Sequence, residues 1–222
     1  PYTEDLLGLP VINIRYVPLS NAFNSFIKRC VDIVGALFGI ILFSPIMLVV
    51  AILIKATSPG PLIYRQDRVG LHNKPFQMYK FRSMVTNAEE LKKKLAEETG
   101  QEDRFIFKMK DDPRITKVGH FIRKTSLDEF PQFYNVLKGD MSLVGPRPAL
   151  PEEVARYGSL YSARLLVKPG ITGPWQVSGR SDLSQEQSEY LDVSYIENWS
   201  IAGDLAILAK TVMVIFTGRG SY

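Results

Sequence analysis

Residues 31–54, VDIVGALFGIILFSPIMLVVAILI, decide how the rest of the chain is read. A helix of about 20 apolar residues crosses a bilayer, and this run is long enough. Two features argue against a plain crossing. Ser44-Pro45 falls in its middle, where proline removes a backbone hydrogen bond and kinks a helix. Positive charge flanks both ends, Lys28 and Arg29 before it and Lys55 after it. Such flanks face the cytoplasm, so a single crossing satisfies only one of them. A hairpin that enters, bends at Ser44-Pro45 and leaves on the same side satisfies both, and Ser44 can bond carbonyls that Pro45 frees. A kinked helix buried in a soluble core is the competing reading, although the run is long and apolar for that role.

The chain has 222 residues, 45% of them hydrophobic, enough for a core in one or two domains. A net charge of +4 suits anionic partners such as phosphates or acidic headgroups. Cys30 is the single cysteine, which excludes an internal disulfide and a thiolate metal site and fits a reducing compartment. His72 and His120 are far apart, which argues against a histidine metal cluster; both read as structural, His72 in a turn. The chain begins on Pro1, so upstream domains are expected to precede it. Residues 1–19 read as a short strand, roughly Val11 to Ile14, at the tail of such a region.

Beyond the apolar run, LIYRQDRVG and PFQMYKFRSM flank GLHNKP as two strands of a hairpin. Residues 87–99 read as a charged surface helix capped by Asn87. Further helices are expected over about 151–163, 184–198 and 204–218, the last capped by Asp204 and ended by Gly218. Its apolar part is too short to span and suits an interface or the core. Trp175 and Trp199 suit core or interfacial anchoring rather than base stacking, and no nucleic-acid partner is expected.

KTSLDEFPQFYNVLKGD, residues 124–140, holds adjacent acids, Asp128 and Glu129. Ser126 and Glu129 have capping-box spacing, but Pro131 then falls past the first turn. With Asp128 as the cap, Pro131 is tolerated, Phe130, Phe133, Tyr134 and Leu137 make an apolar face, and Gly139 supplies the stop. Either register puts both acids at the positive end of a helix, where acids commonly do no more than complement the dipole. The neighbourhood suggests more. Arg123 precedes the acids, Arg147 follows between two prolines, and Lys80, Arg82 and Arg180 are further cations. Carboxylates among cations suit phosphate chemistry: one carboxylate attacks phosphorus and the other holds magnesium with substrate oxygens. Spacing alone does not bring these cations together.

These motifs, with FIKRCVDIVGALFGIILFSPIMLVVAILIK, GPLIYRQDRVG, PFQMYKFRSM, DPRITKVGHFIRKTSLDEFPQFYNVLKGDMSLVGPRP, KPGITGPWQVSGR and YIENWSIAGDLAILAKT, resemble the bacterial sugar transferases that act as monotopic polyprenyl-phosphate hexose-1-phosphate transferases. The likeness covers essentially residues 26–222 in family order; residues 87–105 look like a variable insertion. It implies an α+β fold, mainly helical and monotopic, with a re-entrant kinked helix broken at Ser44 and Pro45, interfacial amphipathic helices and a small β-hairpin. The implied division is 1–19 as the tail of a missing N-terminal region, 20–57 as the membrane helix-break-helix, and 58–222 as the catalytic domain.

The resemblance further implies transfer of hexose 1-phosphate from a UDP-sugar to undecaprenyl phosphate at the cytoplasmic face of the bacterial inner membrane, with release of UMP. Asp128 maps to the nucleophile, Glu129 to the Mg2+ ligand and Arg147 to a phosphate-binding arginine. Arg123, Lys80, Arg82 and Arg180 map to the substrate site, and Asp192 and Tyr195 are expected to reach it. A covalent aspartyl intermediate allows ping-pong kinetics. Galactose and glucose are the first sugars to consider, and a homodimer is left open. Two other readings stand beside this one: a polytopic-type transferase with a ternary step, which needs several spanning helices, and a membrane-anchored scaffold with the acids as caps only.

Overall fold

The computed structural model describes residues 2–6, 9–13, 16–91, 112–155, 157–158, 161–179 and 183–217. Strands β1 (Tyr2–Leu6) and β2 (Leu9–Asn13) form an antiparallel hairpin, so the strand expected near Val11 is present. The apolar run becomes α1, Ala22–Thr57. Asn21 starts it, its Oδ1 accepting from the backbone N–H of Phe23 and Asn24. Where a break between two helices was expected at Ser44-Pro45, one helix continues through Pro45. Pro45 leaves the Ile41 carbonyl without its usual N–H, and the Ser44 hydroxyl donates to that oxygen at 2.9 Å. One stripe of α1, from Lys28 through Ala36 and Gly39 to Val50 and Ile54, is buried. The opposite face, including Phe26, Phe38, Ile41, Leu48 and Ile52, is exposed. Among the described residues α1 is the one helix long and apolar enough to cross a membrane.

β3 (Ile63–Val69) and β4 (Pro75–Phe81) pair antiparallel, as alternation predicts, with Tyr64 opposite Lys80. His72 sits in the connecting turn at φ 55°, as expected of a turn residue. Of the charged helix expected from residue 87, the described part is helical at 88–91; the remainder lies outside the described residues. Helix α2 (Lys117–Lys124) was unassigned in the sequence; Thr116 caps it by accepting from the Gly119 N–H at 2.9 Å.

The acids do not cap a helix. Leu127–Glu129 is a single 3-10 turn after left-handed Ser126, whose side chain makes no cap bond. Helix α3 (Gln132–Lys138) starts behind Pro131, and Gly139 at φ 97° stops it as expected. Of the apolar face expected, Phe130, Phe133 and Leu137 pack on the core while Tyr134 is exposed, and Gln132, Asn135 and Val136 are buried beside them. Asn135 turns inward because its amide serves β4, as described below.

β5 (Ser142–Val144) pairs parallel with β6 (Gly170–Thr172). A Cβ on Gly170 would lie 2.1 Å from the Gly145 nitrogen, so only glycine permits this crossing, from which residues 146–148 emerge. The helix expected over 151–163 is one turn, α4 (Pro151–Val154), and a 3-10 helix, Tyr161–Leu166. Gly158, a poor helix former, lies between them. Short α5 (Pro174–Val177) leads to α6 (Gln185–Glu197), started by a capping box between Ser184 and Gln187. The last helix, α7 (Ile201–Thr217), begins earlier than expected. Ser200 accepts from the Gly203 N–H there, and Asp204 is not the cap. Gly218 lies outside the described residues.

α1 is fastened at three heights. Near its start Lys28 donates to Asp204 at 2.6 Å and to the Val144 carbonyl at 3.0 Å, while Asp32 accepts from Ser142 and the Leu143 N–H. Tyr195 and Trp199 also donate to Asp204, so Trp199 anchors the core. At mid-length Phe43 packs on Phe130, ring centroids 4.6 Å apart. Near its end Val50 and Ile54 join Phe81 and Ile122 in a core cluster. The architecture is α+β, mainly helical, with small two-stranded sheets.

Candidate active site

Three elements deliver the acids and their first cation. The turn 127–129 hangs on Leu127 and Phe130, both packed against the cluster of Val50, Ile54, Phe81 and Ile122. Asp128 between them is 9% exposed. Lys80, near the end of β4, donates to Glu129 Oε1 at 2.8 Å. Burial pushes the Asp128 carboxyl up to about 6, with Lys80 pulling it down, Glu129 adding to the rise and Arg123 lowering it. Asp128 is thus a carboxylate of unusual basicity with two cations within electrostatic reach.

The register between α3 and β4 is set by Asn135, which is fully buried. Its Oδ1 accepts from the Tyr79 N–H at 3.0 Å and its Nδ2 donates to the Gln77 carbonyl at 2.7 Å. The side-chain amide acts as the neighbouring peptide of a third strand. It fixes the helix that follows the acids against the strand that carries Lys80.

A second cationic group lies around Pro146-Arg147-Pro148. Arg147 approaches Glu153 at 3.7 Å and is partly exposed. Arg68, on β3, is buried; its guanidinium is lowered to about 10, by burial first and then by Arg147, with Glu153, Tyr64 and Glu129 opposing the fall. Glu129 and Arg147 thus both act electrostatically on Arg68.

The structure brings together Asp128, Glu129, Lys80 and, at the level of electrostatics, Arg123; Arg147 stands in the second group, with Glu153 and Arg68. Arg82 is placed elsewhere: it is buried and donates to the carbonyls of Pro59 at 2.5 Å and Ser58 at 2.8 Å, tying the hairpin to the end of α1. Arg180 lies outside the described residues. Asp192 is fully buried with its Oδ2 2.9 Å from Arg164 Nε, and Tyr195 is spent on Asp204 and Val144. Burial pushes the Asp192 carboxyl up to about 6, while Arg164 and then Arg147 pull it down. Sequence reading passed over Arg68, Arg164 and Asn135. The signal for Arg164 was present: Arg164 in SARLLV and Asp192 in LDVSYI are opposite charges, each set among apolar residues.

A basic carboxylate beside a second carboxylate, with Lys80 and Arg123 within electrostatic reach, matches group transfer at phosphorus. The sequence model described as "Bacterial sugar transferase" matches residues 23–218. The chain belongs to that family. Within the bacterial sugar transferases it is 48% identical over 211 residues to an undecaprenyl-phosphate galactose phosphotransferase of Salmonella typhimurium, covering 92% of this chain and 43% of that protein. It is 42% identical to a UDP-glucose:undecaprenyl-phosphate glucose-1-phosphate transferase of Klebsiella pneumoniae, covering 99% of this chain and 46% of the relative. It is 38% identical to the exopolysaccharide production protein ExoY of Rhizobium meliloti, over 88% of both chains. The chain spans less than half the length of the first two.

Proposed function

We propose that this chain carries the catalytic machinery for transferring a hexose 1-phosphate from a UDP-sugar to undecaprenyl phosphate, with release of UMP, at the cytoplasmic face of the bacterial inner membrane. The observation that carries the reading is the buried, basic Asp128 beside the Lys80–Glu129 pair. Relatives named for this transfer support the choice of substrates.

In the first half-reaction an Asp128 carboxylate oxygen attacks the sugar-bearing phosphorus of the UDP-sugar. The bond to the bridging oxygen breaks, and UMP leaves with the electron pair. In the second, a phosphate oxygen of undecaprenyl phosphate attacks the same phosphorus and the aspartyl carboxylate leaves. Two bulky substrates thus use one site in turn. Lys80, Arg123 and Arg147 balance charge on the phosphate oxygens.

Among the described residues no three carboxylate, histidine or cysteine side chains converge. A Mg2+ ion fits as one held by Glu129 and completed by substrate phosphates and water. Such an ion would neutralise phosphate charge. Lys80 now occupies Glu129 and would yield that carboxylate to it.

The fold supports a helix lying at the interface. Between Lys28 and Ile54 the helix extends about 39 Å, more than the ~30 Å hydrocarbon core. The polar domain touches it at both ends and in the middle. Set along the membrane normal, α1 would draw that domain into lipid. Laid in by its exposed face, it leaves the domain in water.

The test is UMP release from a panel of UDP-sugars, galactose and glucose first, with and without undecaprenyl phosphate. A covalent step gives stoichiometric UMP without lipid, and Asp128→Asn gives none. UMP that appears only when both substrates are present would favour a ternary mechanism.

A further inference from the structure

We propose that Arg68 and Arg164 are positioning residues: two buried arginines that clamp the Arg147-Pro148 segment by its successive carbonyls and so aim the Arg147 side chain. The inference rests on the reading of Arg147 as a phosphate-binding residue.

Pro146 and Pro148 lack N–H groups, so this segment cannot be held through a full strand ladder. Its carbonyls are the handles used. Arg164 Nη2 donates to the Arg147 carbonyl at 2.9 Å, and Arg68 Nη1 donates to the Pro148 carbonyl at 2.8 Å. The Val69 N–H then takes the Ala149 carbonyl at 3.0 Å. With the Pro146 carbonyl, which accepts from the Gly170 N–H at 2.8 Å, four successive carbonyls are held, the middle two by guanidinium groups.

Both guanidinium groups are themselves fixed. Arg164 donates to the hydroxyls of Tyr157 at 2.7 Å and Tyr161 at 2.6 Å, lies over the Tyr161 ring, and pairs with Asp192. Arg68 donates to Gln66 at 2.8 Å, a neutral partner. Burying a cation against a neutral amide is costly, and a core that needed only packing would use an apolar side chain there. Placed here, the charge stands beside that of Arg147, the most exposed of the three. The nearby acids are Glu153, Asp192 and, at Arg68, Glu129; the positive charge of Arg68 beside Arg147 favours a phosphate there against them. Asp192, expected to touch substrate, acts two steps away, by holding Arg164.

The experiment is a double-mutant cycle in detergent micelles. It reads kcat and KM for UMP release with the UDP-sugar that wild type turns over in the panel above. Arg68→Met strands no acid. It is expected to lower kcat/KM about tenfold in the Arg147 background, the size of one lost charge-assisted hydrogen bond. In the Arg147→Ala background it is expected to lower it less than about twofold, because the group being aimed is gone. An equal loss in both backgrounds, or no loss in the first, overturns the clamp. If Arg147→Ala alone leaves kcat/KM unchanged, the phosphate-binding reading fails, and the clamp with it. Arg164→Met combined with Asp192→Leu removes the buried pair as a unit and runs the same cycle. If both variants lose their cooperative thermal transition, the arginines support the core rather than Arg147, and the proposal is overturned.

Discussion

Asp128→Asn should stabilise the protein while abolishing its chemistry. In the folded chain burial raises the Asp128 carboxyl from 3.8 to about 6. The folded state then holds a proton that the unfolded state has released, so stability falls as pH rises between these values. The difference corresponds to about 3 kcal/mol, fully lost above pH 6 and regained below pH 4. Asparagine does not titrate and avoids the cost of burying a charge. At pH 8 the variant should therefore be more stable by up to about 3 kcal/mol. For a chain of this size that is roughly 5–10 °C in Tm. Thermal unfolding in detergent at pH 8, 7, 6 and 5 reads it, with UMP release on the same samples. The gap should be widest at pH 8 and shrink towards pH 5. A variant no more stable than wild type at pH 8, or a gap independent of pH, would refute the reasoning. Retained UMP release would refute the nucleophile.

For activity the sign runs the other way: kcat/KM for UMP release should fall as pH drops through about 6, where Asp128 takes up the proton that silences it, and a flat profile from pH 8 to 5 counts against this. Asn135→Ala removes both bonds between α3 and β4; two lost hydrogen bonds with their backbone partners stranded cost about 2–4 kcal/mol, seen as a Tm drop of roughly 5–10 °C, and unchanged unfolding would deny Asn135 its bridging role. Lys28→Met leaves Asp204 and Asp32 buried without their cation, at a cost of about 3–5 kcal/mol by denaturant unfolding, and a loss under 1 kcal/mol would show the network to be unimportant.

The hairpin, α6 and the α3 stop at Gly139 were legible because each rests on local chemistry: strand alternation, a Ser184–Gln187 box, a glycine at positive φ. Ser44 serving the carbonyl freed by Pro45 was legible for the same reason. The misread parts depend on distant partners. Asn135 looks like a polar interruption of a helix face until β4 presents an N–H and a carbonyl to it. Asp204 looks like a cap until Lys28, 176 residues away, claims it. Arg82 looks like a phosphate ligand until the carbonyls of Ser58 and Pro59 turn towards it. Asp128 and Glu129 were found as a pair, but their setting on a 3-10 turn depends on Pro131 delaying the helix and on Ser126 taking the left-handed conformation.

Fastening the helix and raising the basicity of Asp128 are one arrangement. Asp128 and Glu129 are flanked in the chain by Leu127 and Phe130, and both of these are drawn into the apolar cluster that α1 supplies with Val50 and Ile54. Phe130 also meets Phe43, beside Ser44-Pro45. Pulling those two neighbours inward carries the carboxyl between them out of water, which is the largest cause of its raised pKa. A carboxylate set this way costs the fold stability, and the aromatic contact on α1 offsets that cost. The same contact fixes the distance between the Asp128 carboxyl and the exposed apolar face of the helix. On the proposed function, the depth of Asp128 relative to a lipid phosphate then follows from packing inside the protein, and a substitution at Phe43 should disturb catalysis and membrane placement together.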